Sequence, residues 1–159
     1  MENWGWARAL HVLGVVLWIG GVSMVTTILL PAVRRFPEGE AMALFERLEH
    51  AFARQSRWTT ALVGITGFYL VYVLDLWHRY AEPRYWWMAA MLVVWALFTL
   101  MLFVLEPLFL HRWFSARAQT DGPGTIRLIQ RMHWLLLAVS LVTVAGAVAG
   151  SHGVLLFAG

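Results

Sequence analysis

The chain has 159 residues, of which 60% are hydrophobic and only 13% charged, with 10 Trp and a mean hydropathy of +0.66. A soluble domain carries about 25% charged and about 45–50% apolar residues, and a chain this short cannot bury so much apolar surface in one core; disorder, which needs low hydrophobicity and high net charge, is excluded too. What remains is an integral membrane protein whose apolar faces meet lipid.

The net charge of +3 comes from 12 Arg and no Lys, and the absence of Cys excludes disulfides, thiolate metal sites and Cys nucleophiles. A spanning helix needs about 20 mostly apolar residues. Four stretches meet this length: about 9–30, ending at Pro31, then 58–77, 86–110 and about 132–150. None alternates as an outer-membrane strand does. Glu2 precedes the first cation, Arg8, and the first apolar run is too long for a signal peptide, so it reads as a retained helix.

Between the first two spans, residues 34–57 carry Met42, Leu44, Phe45, Leu48 and Phe52 at helical spacing. They read as an amphipathic helix that runs into the second span or lies on the membrane surface. Residues 115–125 contain Asp-Gly-Pro-Gly and read as a turn-rich loop. The expected fold is all-α: one polytopic membrane domain over residues 1–159, a four-transmembrane-helix bundle with an amphipathic cytoplasmic helix.

Orientation follows from the Arg. Arg8, Arg79 and Arg84 share the side of the N-terminus, whereas Arg34, Arg35, Arg47, Arg54, Arg57, Arg112, Arg117, Arg127 and Arg131 lie on the other. Nine against three makes the second side cytoplasmic by the positive-inside rule. Both termini then face the periplasm of a bacterial inner membrane. Most of the Trp fall near the same borders, with only Trp18 and Trp95 in mid-span. Arg at span ends are topology signals, so the basic balance implies no nucleic-acid partner.

The six His divide evenly between the two faces: His11, His78 and His152 outside, and His50, His111 and His133 inside. Imidazole ligates haem and metals, and bundles build such sites from inward-facing side chains. His11 lies inside the first span with Gly14, Trp18, Gly21 and Met24 at three- and four-residue steps. An ionisable group there is rare and usually functional, although a neutral His bonded to a neighbouring helix reads equally from the residues. His78 has Asp75 three residues earlier, a carboxylate placed to orient a ligating ring or to form a solvated boundary pair.

His152 follows the small-residue stretch Gly146–Gly150, a close-packing face for another helix or another copy. His111 and His133 bracket the inner ends of the third and fourth spans beside Arg112 and Arg131, as interfacial residues or as ligands of a second cofactor whose propionates those Arg pair with. His50, among Glu46, Arg47 and Glu49, reads as part of a solvated face. Glu106, before Pro107 in the third span, needs a partner at that depth: His133 or an inner-side Arg, as a structural bridge or a proton relay.

The run from Ala9 to Val22 (ALHVLGVVLWIGGV), closing at Leu30-Pro31-Ala32-Val33-Arg34-Arg35, resembles the opening helix of CopD-like bacterial membrane proteins and, more distantly, of HemJ-like protoporphyrinogen oxidases. The resemblance covers about a quarter of the chain. It implies a ligand role for His11, toward copper in one branch and b-type haem in the other. HemJ-like enzymes use a lysine in a later span, and this chain has none; CopD-like proteins usually have more spans.

Two chemical readings follow. In the first, the protein is a b-type haem carrier of electrons, with His11 and either His78 or His152 holding one haem near the outer face. His111 and His133 hold a second near the inner face, and Arg8, Arg112 and Arg131 stand near the mouths for propionates. Two axial His leave no open iron position, which favours electron transfer, with a membrane quinone or another redox protein as partner. In the second, His11, His78 and His152 handle copper at the periplasmic mouth. The non-chemical alternative is a membrane subunit whose His bond across helices.

Overall fold

The computed structural model describes residues 4–36 and 38–154, and among them every regular element is helical. Helix α1 spans Trp4–Val33, α2 spans Glu38–Val73, α3 spans Pro83–Leu110, α4 continues it as His111–Thr120, and α5 spans Gly122–Ser151. Short 3₁₀ turns at Trp77–Ala81 and Pro83–Tyr85 carry the chain from α2 into α3. Three helices, α1, α3 and α5, are long and apolar enough to cross a membrane.

The interior shows why these apolar helices belong in lipid. Only 33%, 17% and 22% of their apolar windows is buried. Thr26, Thr60 and Thr125 are 0% exposed and Ser140 1%, whereas Ile65 is 71% exposed and Leu135 67%. Small polar residues inside and large apolar ones outside is an arrangement water would disfavour. A bilayer favours it, because small residues let helices approach and the outer faces contact acyl chains. Thr26, Thr125 and Ser140 satisfy their hydroxyls on the carbonyls of Val22, Asp121 and Leu136 within their own helices.

Pro31 and Pro107 both lie within these helices, and each is met by a widened turn. Proline removes a backbone donor and crowds the carbonyl four residues back. In α1, residues Val25–Leu29 widen into a π turn, and Leu30 N–H reaches back five residues to Val25 O, so that Pro31 enters without ending the helix. In α3, the whole of Met101–Leu110 is π-helical around Pro107.

Two expected boundaries are corrected. The second apolar stretch, 58–77, is the latter half of α2, which runs unbroken from Glu38 and stops at Val73. It stops in a Schellman motif: Leu76 N–H donates to Val71 O at 3.0 Å, Asp75 N–H donates to Tyr72 O at 3.3 Å, and Asp75 takes the left-handed φ of +49°. Bounded by Arg57 and diluted by Thr and Gly, this stretch is not among the helices that qualify as spans by length and composition. The expected loop at 115–125 is helical except at Asp121, which caps α5: its Oδ1 accepts from Gly124 N–H at 2.8 Å, and Pro123 sits in the first turn where no donor is needed. The side chains of Met42, Phe45 and His111 lie outside the described residues.

Packing concentrates in three clusters along the bundle. The central one joins all four long helices: Trp18, Ile19 and Val22 of α1, Val63 of α2, Val94 and Phe98 of α3, and Leu136 and Leu137 of α5. A second, with Val25, Leu30, Val33, Ile126 and Ile129, lies at the end where Arg34 Nη1 donates to Gln130 Oε1. A third, with Val71, Trp87 and Met88, closes the end holding the N-terminus of α1.

Glycine recesses admit rings throughout: Gly21 faces Phe52, Gly64 faces Trp95, Gly146 faces Trp86 and Gly150 faces Trp87. The Gly146–Gly150 stretch thus packs against α3 of its own chain. A Cβ at Gly150 would collide with the indole of Trp87, so Gly150→Ala is expected to cost about 1–3 kcal/mol as overpacking, read as a lowered midpoint of thermal unfolding in detergent. Asp75→Gly, which relieves the left-handed backbone, is expected to stabilise by roughly 0.5–1 kcal/mol in the same assay.

Candidate functional site

Among the described residues, His11 is the one predicted ligand whose ring is seen to hydrogen-bond across to another helix. The α1–α2 seam brings it there: Gly14 of α1 lies against Val63 and Thr59, and Gly67 of α2 leaves the recess into which the imidazole fits. His11 Nδ1 lies 3.1 Å from Val63 O and 3.2 Å from Thr66 Oγ1. A carbonyl only accepts, so Nδ1 carries the proton. Thr66 agrees, since its own hydroxyl proton goes to Leu62 O at 2.6 Å, leaving its oxygen to accept. The tautomer is therefore set, and Nε2 keeps its lone pair with no hydrogen bond among the described residues. This is the second-sphere arrangement that ligating histidines use.

His78, His133 and His152 take partners close in sequence. His78 Nδ1 donates to the backbone carbonyl of Asp75 at 3.0 Å, and not to the expected carboxylate, because the left-handed turn at Asp75 presents that carbonyl to the ring. His152 caps α5 and donates to Val148 O at 2.8 Å. His133, half-buried in α5, donates to Ile129 O at 2.9 Å.

No hydrogen bond joins any two of these four rings. Among the described residues, no three His, Asp or Glu gather as a metal ion would require. His50, Arg112 and Arg131 are exposed. Arg8 stacks over the ring of Trp4 at 4.8 Å. At the same end as His78, burial raises the Tyr80 phenol above its ordinary value.

Glu106 finds its partner in Arg57, whose Nη2 donates to Glu106 Oε2. The same guanidinium donates through Nε to Leu102 O at 3.1 Å. In a π-helix each N–H bonds the carbonyl five residues back, so Leu102 O is the carbonyl that Pro107 would have served had it an N–H. Arg57 supplies the missing donor and, with the adjacent nitrogen, holds the carboxylate that precedes the proline. One planar fork thereby repairs the backbone and neutralises a charge at membrane depth. The sequence leaves His133 or any of several Arg as the partner; the π register selects Arg57.

Beside this pair, α2 and α3 part to leave an apolar groove of about 360 Å³ lined by Ala61, Gly64, Ile65, Phe68, Trp95, Thr99 and Phe103. Trp95 is held against its wall, with Nε1–H donating to Thr60 O at 2.9 Å and Phe68 edge-on at 5.4 Å.

The Arg57 fork has a measurable signature. Arg57→Ala is expected to cost about 2 kcal/mol, because it strips a carbonyl and a carboxylate of a charged donor. In a Pro107→Ala background, which returns a backbone donor, the same change should cost about 1 kcal/mol less. A double-mutant cycle of unfolding midpoints in detergent measures the coupling. Comparison with family models, with curated proteins and with solved structures finds no match for this chain.

Proposed function

We propose that this chain is a four-span protein of the bacterial inner membrane that carries a b-type haem and transfers electrons, with His11 as an axial ligand. The Arg asymmetry puts the α2–α3 connection and both termini on the periplasmic side, with the first part of α2 as the cytoplasmic amphipathic helix. The observation that carries the reading is the cross-helix lock on His11: Nδ1–H is committed to Val63 O, so the unprotonated Nε2 is presented in fixed orientation.

A haem would be held by one or two such nitrogens, and His11 offers one. The residue that would join His11 in holding the haem at the outer end is His78 or His152, with Arg8 to offset its carboxylates. At the inner end His111 and His133 would hold a second, with Arg112 and Arg131 as counter-charges. The bound haem would supply a one-electron couple, and the protein's part is to fix the imidazole and exclude water. A membrane quinone fits as partner, given the apolar, aromatic-walled groove at Trp95.

The alternative is a non-catalytic membrane subunit in which His11 only clasps α1 to α2, and the same hydrogen bond favours it. Absorption spectra of the purified protein separate the readings. The expected result is a Soret band that shifts on reduction, with haem lost in His11→Ala and retained in His50→Ala; a pyridine haemochrome assay then counts one haem or two. Colourless protein with stoichiometric copper overturns the haem reading in favour of the metal one. Colourless, metal-free protein in which His11→Ala changes only stability leaves the clasp.

A further inference from the structure

Three buried polar atoms on two facing helices have no hydrogen-bond partner among the described residues: Trp18 Nε1, Ser56 Oγ and Thr60 Oγ1. Their residues are 4%, 2% and 0% exposed. Other buried hydroxyls of the bundle, those of Thr26, Thr66, Ser140 and Thr143, turn back onto the carbonyl four residues earlier in their own helix. Ser56 and Thr60 do not, although both have such a carbonyl within reach of a rotamer change. Their hydroxyls are left for something else.

The register brings Trp18 opposite Ser56, with Thr60 one turn further along α2. Gly14 of α1 meets Thr59 and Val63 of α2, and Gly21 meets Phe52. Trp18, between those glycines, therefore stands opposite Ser56, and Thr60 shares the face of Ser56 one turn on. Both sides also reach toward α3. The Trp18 ring is edge-on to Phe98 at 4.8 Å between centroids, and Thr60 O accepts from Trp95 Nε1. The three atoms thus belong to the junction of α1, α2 and α3 in the central cluster.

The chemistry of the set specifies its guest. Indole N–H only donates, while each hydroxyl donates and accepts. The guest must accept from Trp18 and exchange hydrogen bonds with two hydroxyls. We propose that Trp18, Ser56 and Thr60 bind a water molecule at the centre of the bundle. Two to four polar partners is what a buried water requires, and leaving three polar groups bare in a dry interior would be costly.

The test uses the full chain in lipid nanodiscs with ¹⁵N-labelled indoles. The Trp18 Nε1–H resonance, identified by its loss in Trp18→Phe, is expected to show a cross-relaxation peak at the water frequency, and the Ser56→Ala/Thr60→Val double variant is expected to lose that peak. Should Trp18→Phe fail to fold, the double variant alone identifies the indole whose water peak disappears. Stability gives an independent sign. Thr60→Val keeps the shape, so it lowers the unfolding midpoint by a few degrees if the hydroxyl holds water and raises it if the hydroxyl is bare. An absent water peak in the native protein, or a raised midpoint in Thr60→Val, overturns the proposal.

Discussion

The hydrogen bond from Arg57 to the carbonyl of Leu102 answers a constraint that governs much of this molecule. Inside a bilayer no water can serve a backbone group that has lost its partner. Pro107 deprives one carbonyl of its N–H, and a π-helix moves that carbonyl five residues back, to Leu102. There the face of α3 turns to α2, so a guanidinium from Arg57 can reach it. Because the fork has a second nitrogen to spend, a carboxylate next to the proline becomes tolerable, and Glu106 occupies that place. The intramembrane acid is a consequence of how the proline break is mended.

The same economy of polar groups shapes the interior. Lipid offers no hydrophobic drive for helices to associate, so contact must come from close fit. Here the fit is ring into glycine: Phe52 at Gly21, Trp95 at Gly64, Trp86 at Gly146 and Trp87 at Gly150. Each recess lets an aromatic cover a neighbouring backbone at short range, where dispersion is strongest. Threonines and serines fill what the rings leave, and most satisfy themselves locally. Among the polar groups that do not are His11, Arg57, Trp18, Ser56 and Thr60 on α1 and α2, and Trp95, Thr99 and Glu106 on α3.

The sequence reveals the apolar runs of α1, α3 and α5 because their length alone meets the bilayer requirement. Residues 58–77 are harder, since nothing between Glu38 and Val73 stops a helix and the stop itself uses Asp75 where glycine or asparagine is usual. Pro123 misleads for a related reason, as a proline beside glycines signals both a turn and a first helical turn. At the site, His11 stands out through its depth in an apolar run. Its acceptors do not, because Val63 O is a main-chain atom and only the α1–α2 register, set by Gly14 and Gly21, brings it to the ring. Arg57 hides among twelve Arg for the same reason: its distinction is the phase of a π-helix.

The bond between His11 and Val63 bears on both functional readings, and its geometry separates what each requires. A clasp needs only that Nδ1–H find an acceptor; any tautomer and any partner on α2 would join the helices. A ligand needs the opposite nitrogen unprotonated, aimed and undisturbed. Here the Thr66 hydroxyl donates to Leu62 O, so its oxygen is left to accept from the ring, in keeping with the proton on Nδ1. Gly67 leaves room that a larger residue would take, letting the edge of the ring with Nδ1 and Cε1 approach α2 closely. Two features of α2 thus fix the tautomer and the place of the imidazole, which is what the proposed ligand role would require of it.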